Sequence, residues 1–231
     1  MKNKRKFVIA DIHGAYKALM QCFDQADFDY QNDILICLGD VCDGWPEIDK
    51  VFDELLKLKK LIYILGNHDF WALSWAETGS KPDIWLTQGG QATIDCYSNG
   101  MPESHIEILK TAYDYYIDEN RMFVHGGFYN DQELKDHDKE TFLWDRSLFQ
   151  AAMFNMSINR EVKLTRFDEV YIGHSPTEIY NIKLPIKSCG IWMIDTGAGW
   201  SGVLSLMNID TKEYYISDSV PNLYPDHRGR F

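Results

Sequence analysis

Short apolar runs that end in a polar, glycine-bearing loop recur along this chain. Phe7-Val8-Ile9-Ala10 enters Asp11-Ile12-His13-Gly14, and Leu35-Ile36-Cys37-Leu38 enters Gly39-Asp40-Val41-Cys42-Asp43-Gly44. Leu61-Ile62-Tyr63-Ile64-Leu65 enters Gly66-Asn67-His68-Asp69. Apolar runs of this length, bounded by turn residues, predict buried strands. Between them the period changes. Tyr16, Leu19, Met20 and Phe23 fall at helical spacing, and after Pro46 the residues Ile48, Val51, Phe52, Leu55 and Leu56 form one stripe. Lys57, Lys59 and Lys60 close that stripe, as a helix C-terminus favours. Strand, helix, strand, helix, strand predicts parallel strands joined by right-handed crossovers.

Farther along, Phe70 to Glu77 reads as a short helix stopped by Thr78-Gly79-Ser80-Lys81-Pro82. Residues 85–93 read as a loop lining something. Ile106, Leu109, Tyr113 and Tyr116 predict a helix from about Glu103 to Tyr116. Met122-Phe123-Val124 then enters His125-Gly126-Gly127, and Val170-Tyr171-Ile172 enters Gly173-His174-Ser175-Pro176. The last third reads as β: residues 191–194 before Asp195-Thr196-Gly197, then 203–209 and 214–217 around a turn at Asp210-Thr211-Lys212. Residues 1–220 are expected to form one domain. Residues 221–231 carry little pattern and are expected as a loosely held C-terminal tail.

Composition narrows the class. Apolar residues make up 45% of the 231 and charged residues 25%, which allows a substantial single core. A net charge of -12 argues against generic nucleic-acid binding, which needs clustered Lys and Arg. Met1 to Lys6 is basic, but the apolar run before Asp11 is too short for a signal peptide. No apolar run approaches the roughly 18 residues of a membrane span. Five cysteines, an odd number without a CxxC pair, read as reduced thiols in a cytoplasmic protein.

Ligands of open α/β sheets gather beyond the carboxyl ends of the strands. Five predicted strand ends here offer Asp11 and His13, Asp40 and Asp43, Asn67 and His68, His125, and His174. Collected on one edge, they make two mixed oxygen and nitrogen ligand sets suited to Mn, Fe or Zn. A shared carboxylate can hold two such ions about 3.5–4 Å apart, where they polarise a phosphoryl group. Any one stretch alone occurs often by chance; the ordered set points to a metal site.

These motifs resemble those of the calcineurin-like metallophosphoesterase superfamily, in particular the phosphoprotein phosphatase branch in its compact bacterial and bacteriophage-lambda form. The family's GDxHG appears as Ala10-Asp11-Ile12-His13-Gly14, its GDxVDRG as Gly39-Asp40-Val41-Cys42-Asp43-Gly44-Trp45, and its GNHE as Gly66-Asn67-His68-Asp69. His125-Gly126, Leu143-Trp144-Asp145-Arg146, Gly173-His174-Ser175-Pro176 and Ile194-Asp195-Thr196-Gly197-Ala198 continue the match to about Ile209. The resemblance implies an α/β fold: a four-layer αββα sandwich around a central pair of mixed β-sheets. It implies two divalent ions, Mn²⁺ ahead of Fe, Zn, Ni, Co or Mg. Asp11, His13 and Asp40 would hold one and Asp40, Asn67, His125 and His174 the other. His68 would protonate the leaving group, oriented by Asp43, and Arg146 would bind phosphate oxygens together with Asn67 and His68.

The implied activity is phosphate-ester hydrolysis by a metal-bridging hydroxide, first as a phosphomonoesterase of the Ser/Thr protein phosphatase type. Its substrate would be a phosphoprotein, a small phosphoester or a nucleotide. Three departures matter: Gly44 and Leu65 stand where the family carries arginines, and Asp69 replaces Glu. They keep a phosphodiesterase or dinucleoside polyphosphate hydrolase open as the second reading. A catalytically silent metal-binding scaffold is the third, disfavoured by the intact His68. Trp45, Trp71, Trp75 and Trp85 are expected to pack around the motifs, as is Cys42. Asp195 is expected to organise the loop beside the site, Asp145 to be structural, and His105, His137 and His227 to lie on the surface. Oligomeric state has no sequence signal.

Overall fold

A computed structural model describes residues 4–230; Met1 to Asn3 of the basic start and Phe231 of the predicted tail lie outside the described residues. The first half runs β1 (Lys6–Ile9), α1 (Tyr16–Gln25), β2 (Ile34–Cys37), α2 (Ile48–Leu55), β3 (Leu61–Tyr63) and α3 (Asn67–Thr78). A helical stretch follows: α4 (Asp83–Trp85), α5 (Gln91–Cys96) and α6 (Glu103–Lys110). The second half adds β4 (Tyr115–Asp118), β5 (Arg121–Val124), α7 (Lys139–Trp144), α8 (Ser147–Ser157) and β6 (Glu169–Ile172). It ends with β7 (Ile186–Ser188), β8 (Ile191–Met193), β9 (Ser205–Asn208), β10 (Tyr214–Ile216) and α9 (Val220–Leu223).

The strands form two mixed five-stranded sheets, ordered β10-β9-β1-β2-β3 and β4-β5-β6-β8-β7. Each has a parallel trio, β1-β2-β3 in one and β5-β6-β8 in the other, with antiparallel strands outside it. The alternation of strand side chains builds the layers. Phe7 and Ile9 of β1 face the helices α1 and α2, whereas Val8 and Ala10 enter a core between the sheets with Ile36, Phe123, Tyr171 and Met207. In β5 and β6, Met122, Val124, Val170 and Ile172 face outward into the core beneath α7 and α8. Strands buried on both faces read as continuous apolar runs, which is why the pattern was visible in sequence. The result is the expected αββα sandwich.

Four element expectations change. Residues 85–93, read as a loop, are helical: the end of α4, a π-helical turn at Leu86–Gly90 and the start of α5. The helix predicted to Tyr116 stops at Lys110, and Tyr115 to Asp118 become an edge strand paired with β5 in register Tyr116↔Phe123. Tyr113 and Tyr116 satisfy helical spacing, but an aromatic segment serves better by pairing with β5 than by leaving that strand's edge open. Helix α3 starts at Asn67 rather than Phe70, so Asn67 and His68 sit in its first turn. The expected tail is packed: Tyr224 is buried, stacks on Trp45 at 5.3 Å between ring centroids, and donates its hydroxyl to Glu47 Oε2 at 2.5 Å.

Candidate metal centre and active site

The loops after β1, β2, β3, β5 and β6 meet at one edge of the sandwich. The loops after β1 and β2 are zipped together, with Asp11 N donating to Gly39 O, His13 N to Asp40 O and Gly14 N to Val41 O at 2.8–3.1 Å. Asp11, His13, Asp40, Asp43 and His174 all have left-handed backbones, with φ between 48° and 72°. Such conformations cost non-glycine residues of the order of 1–3 kcal/mol each, and concentrate where a loop must turn a side chain inward. Asp and His tolerate them better than β-branched residues do.

All six predicted ligand residues are buried and converge. Asp11, His13 and Asp40 present ligand atoms within 4.8 Å of one another, and so do Asp40, His125 and His174. Asp40 belongs to both groups. Asn67 Oδ1 joins the second, 2.9 Å from His125 Nε2. Asp11 also accepts from the backbone N–H of His174 through both oxygens at 3.0 Å, which ties the two halves of the site.

The donor set fits divalent cations. His13 Nδ1 lies 2.8 Å from Cys42 O and His125 Nδ1 2.7 Å from Leu38 O; a carbonyl can only accept, so each Nδ1 carries a proton. That turns both Nε2 atoms toward the carboxylates. His125 Nε2 then faces two oxygens, Asn67 Oδ1 and, at 3.4 Å, Asp40 Oδ2, an arrangement that needs a positive charge among them. His174 Nε2 is buried without a hydrogen-bond partner among the described residues, rare for a buried imidazole unless a cation is its partner.

Electrostatics agree. Burial lifts Asp11 well above the usual carboxylate range, with Asp195 adding and His125 opposing. Burial also holds His13 and His174 well below the usual imidazole range, reinforced by Arg230 on His13 and by His125 and Arg146 on His174. Burial would raise Asp40, but the His125 and His68 rings pull it well below the carboxylate range. His125 shows the converse: burial lowers it, yet Asp40 wins and lifts it to about 9. His13 and His174, held neutral with lone pairs free beside buried carboxylates, present an arrangement that a bound cation would relieve.

Beside this cluster His68 Nδ1 donates to Asp43 Oδ2 at 2.5 Å, leaving Nε2 for another partner. Asp43 is fully buried and also accepts from Trp85 Nε1 at 2.7 Å and Thr93 Oγ1 at 2.5 Å. The stretch read as a loop lining something thus holds two hydrogen-bond donors that orient Asp43. Asp69 acts as a second anchor. Its carboxylate accepts from the backbone N–H groups of Asp40, Val41, Cys42 and Gly66 and from the Tyr63 hydroxyl, all at 2.8–3.2 Å. One side chain therefore clamps the β2 loop to the start of α3. Arg146, exposed at the start of α8, is near enough for its charge to act on His174.

Trp45, Trp85 and Cys42 pack as expected, and Asp195 organises its loop through the Gly197 N–H at 2.9 Å. Burial lifts Asp195 to about 6, against the pull of that amide. Asp145 accepts from Ser147 N and Oγ at the start of α8. His105 corrects the surface expectation: it is buried between Tyr97 OH and Asp53, at 2.9 and 3.1 Å, where α6 packs. His137 is half-buried and stacks on Tyr129, and only His227 is exposed. Among the described residues no helix is long and apolar enough to cross a membrane.

A catalytic-type histidine–aspartate pair set against two cation-ready ligand groups defines a metal-dependent hydrolase class. Sequence comparison makes it specific: the calcineurin-like phosphoesterase family profile matches residues 5–187, and the chain belongs to that family. It is 26% identical to serine/threonine-protein phosphatase 1 of Salmonella typhimurium over 88% of this chain and 91% of that protein. It is 22% identical to a symmetrical bis(5'-nucleosyl)-tetraphosphatase of Buchnera aphidicola over 92% of this chain and 98% of the relative. A solved structure provisionally assigned as a diadenosine tetraphosphatase shares the fold, with a TM-score of 0.68 at 16% identity over 93% of both chains.

Proposed function

We propose that this phosphoesterase hydrolyses phosphomonoesters at the dimetal site. The carrying observation is that Asp40 belongs to both ligand groups while the buried His68–Asp43 pair stands beside them. In this reading Asp11, His13 and Asp40 hold one divalent ion and Asp40, Asn67, His125 and His174 the other. Bound there, two such ions polarise phosphoryl oxygens and lower the pKa of water, with Mn²⁺ the first choice for mixed carboxylate and imidazole donors.

The chain's own residues supply the rest. His68 delivers a proton from Nε2 to the departing oxygen, because Asp43 holds Nδ1 and so sets the ring's tautomer and direction. Trp85 and Thr93 keep Asp43 from rotating. Arg146 offers a planar guanidinium to the phosphate.

The test is a comparison of Mn²⁺-loaded protein on an aryl phosphate, an aryl phosphodiester, a phosphopeptide and a dinucleoside polyphosphate. Preference for the monoesters is expected. A strong diester or anhydride preference would move the assignment to the second reading, which Gly44, Leu65 and the tetraphosphatase relatives support. Full activity without divalent ions would overturn the dimetal reading.

A further inference from the structure

Gly44 stands where the motif has an arginine, and the structure fills that place from the far end of the chain. Gly44 has φ of +86°, and a Cβ there would meet Arg230 Cγ at 3.1 Å and His13 Cβ at 3.3 Å. At Gly199 a Cβ would lie 2.9 Å from Arg230 Cδ. The two bare glycines make room for the arginine stem. Arg230 N donates to Gly199 O at 3.0 Å, Nε to Gln88 O at 3.2 Å, and Nη2 to Gln88 Oε1 at 3.1 Å. The guanidinium lies 4.7 Å from the Trp200 ring centroid, and its Nη1 reaches His13 Nε2 at 3.2 Å.

These are neutral partners. Among the described residues no carboxylate forms an ion pair with Arg230 or with Arg146. Yet the two guanidinium charges act on one another, and both act on the buried Asp195. Two cations drawn together without acidic partners are a receptor for an anion, and planar forks match phosphate oxygens well. A divalent cation on the His13 Nε2 lone pair would repel the guanidinium from that one contact and leave its N–H groups for anionic oxygens. The segment that delivers it is anchored by the Tyr224 stack on Trp45, whose Nε1 donates to Ala198 O at 2.7 Å.

We propose that Arg230 is a substrate-binding residue that, with Arg146, grips the phosphoryl oxygens, replaces the arginine absent at Gly44, and thereby selects a phosphomonoester dianion. This rests on the phosphohydrolase reading above.

Arg230→Ala and Arg230→Lys, each loaded with Mn²⁺, test it by metal analysis, calorimetric titration with inorganic phosphate, and kinetics on an aryl phosphate and an aryl phosphodiester. Arg230→Ala should keep the wild-type Mn²⁺ content and bind phosphate about ten- to a hundredfold more weakly, as loss of a charge-assisted contact predicts. Arg230→Lys should recover part of that loss, and kcat/KM should fall more for the monoester than for the diester. Unchanged phosphate affinity, or faster turnover of either ester by Arg230→Ala, would overturn the proposal; the second result would make residue 230 a shield over the site. If the wild-type protein hydrolyses neither ester, the functional reading fails, while the phosphate titration still decides whether Arg230 binds the anion.

Discussion

The two sheets build one site in different ways. The β1-β2-β3 trio delivers Asp11, His13, Asp40, Asp43, Asn67 and His68 from successive loops, each a few residues past its strand. The β5-β6-β8 trio delivers His125 and His174 across a long intervening segment that contains α7 and α8. The first sheet thus contributes the carboxylates of both candidate ligand groups and, in the proposed reading, the proton donor, and the second contributes imidazoles that close the cluster. Short crossovers keep interacting residues near one another in sequence; the second half depends on contacts such as Gly173 N to His125 O at 2.9 Å.

The sharpest way to break the comparison is at the residue common to both ligand groups. Asp40→Asn should abolish turnover and strip both Mn²⁺ ions, whereas His174→Ala should remove ligation from the second group alone; metal stoichiometry beside kcat separates them. His125→Ala should also abolish turnover. His68→Asn should retain both ions and lower kcat by about 10²–10⁴-fold, the usual range for losing a general acid. Equal metal loss in that variant would show His68 to be a ligand.

Asp69→Asn tests how the first sheet's loops are held. It turns an amide toward several backbone donors, and should cost about 2–4 kcal/mol in urea unfolding, with weaker Mn²⁺ binding. The smallest effect concerns the end of the sandwich away from the site, where Glu169 of β6 pairs with Lys212 of the β9–β10 turn and so links the two sheets. Burial raises Glu169, but Lys212, Trp192, Tyr171 and Lys187 outweigh it and hold the carboxyl at about 2, against its ordinary 4.5. A depressed carboxyl stabilises the fold above the unfolded value and loses that contribution as pH falls toward the folded one. Glu169→Gln should therefore be less stable than wild type at neutral pH, with the gap closing between about pH 4.5 and 2 in denaturant titrations.

Much of the first half was legible because its information is local. Phe7 to Ala10, Leu35 to Leu38 and Leu61 to Leu65 are buried on both faces, so they read as unbroken apolar runs, and each turns its polar residues inward at once. Strand β4 was missed because Tyr113 and Tyr116 extend the helical spacing of Ile106 and Leu109, and the pairing of Tyr115 to Asp118 with β5 overrode it. Helix α8 went unread because apolar residues surround it on several sides and leave no single stripe.

By itself, then, the sequence determined which residues would stand at the strand ends and that their side chains are of the kinds that could hold a metal ion, since a strand–glycine–aspartate pattern is a property of neighbours in the chain. Tertiary structure decided what steadies them and what joins them. Trp85 and Thr93 grip Asp43, Asp69 gathers the amides of two loops, and α6 turns its own His105 into the core. Arg230 reaches the cleft beside Gly44 from a segment without any pattern of its own. Its placement depends on Tyr224 stacking on Trp45 and on space left by a missing side chain, contacts that exist only once distant parts of the chain are packed together.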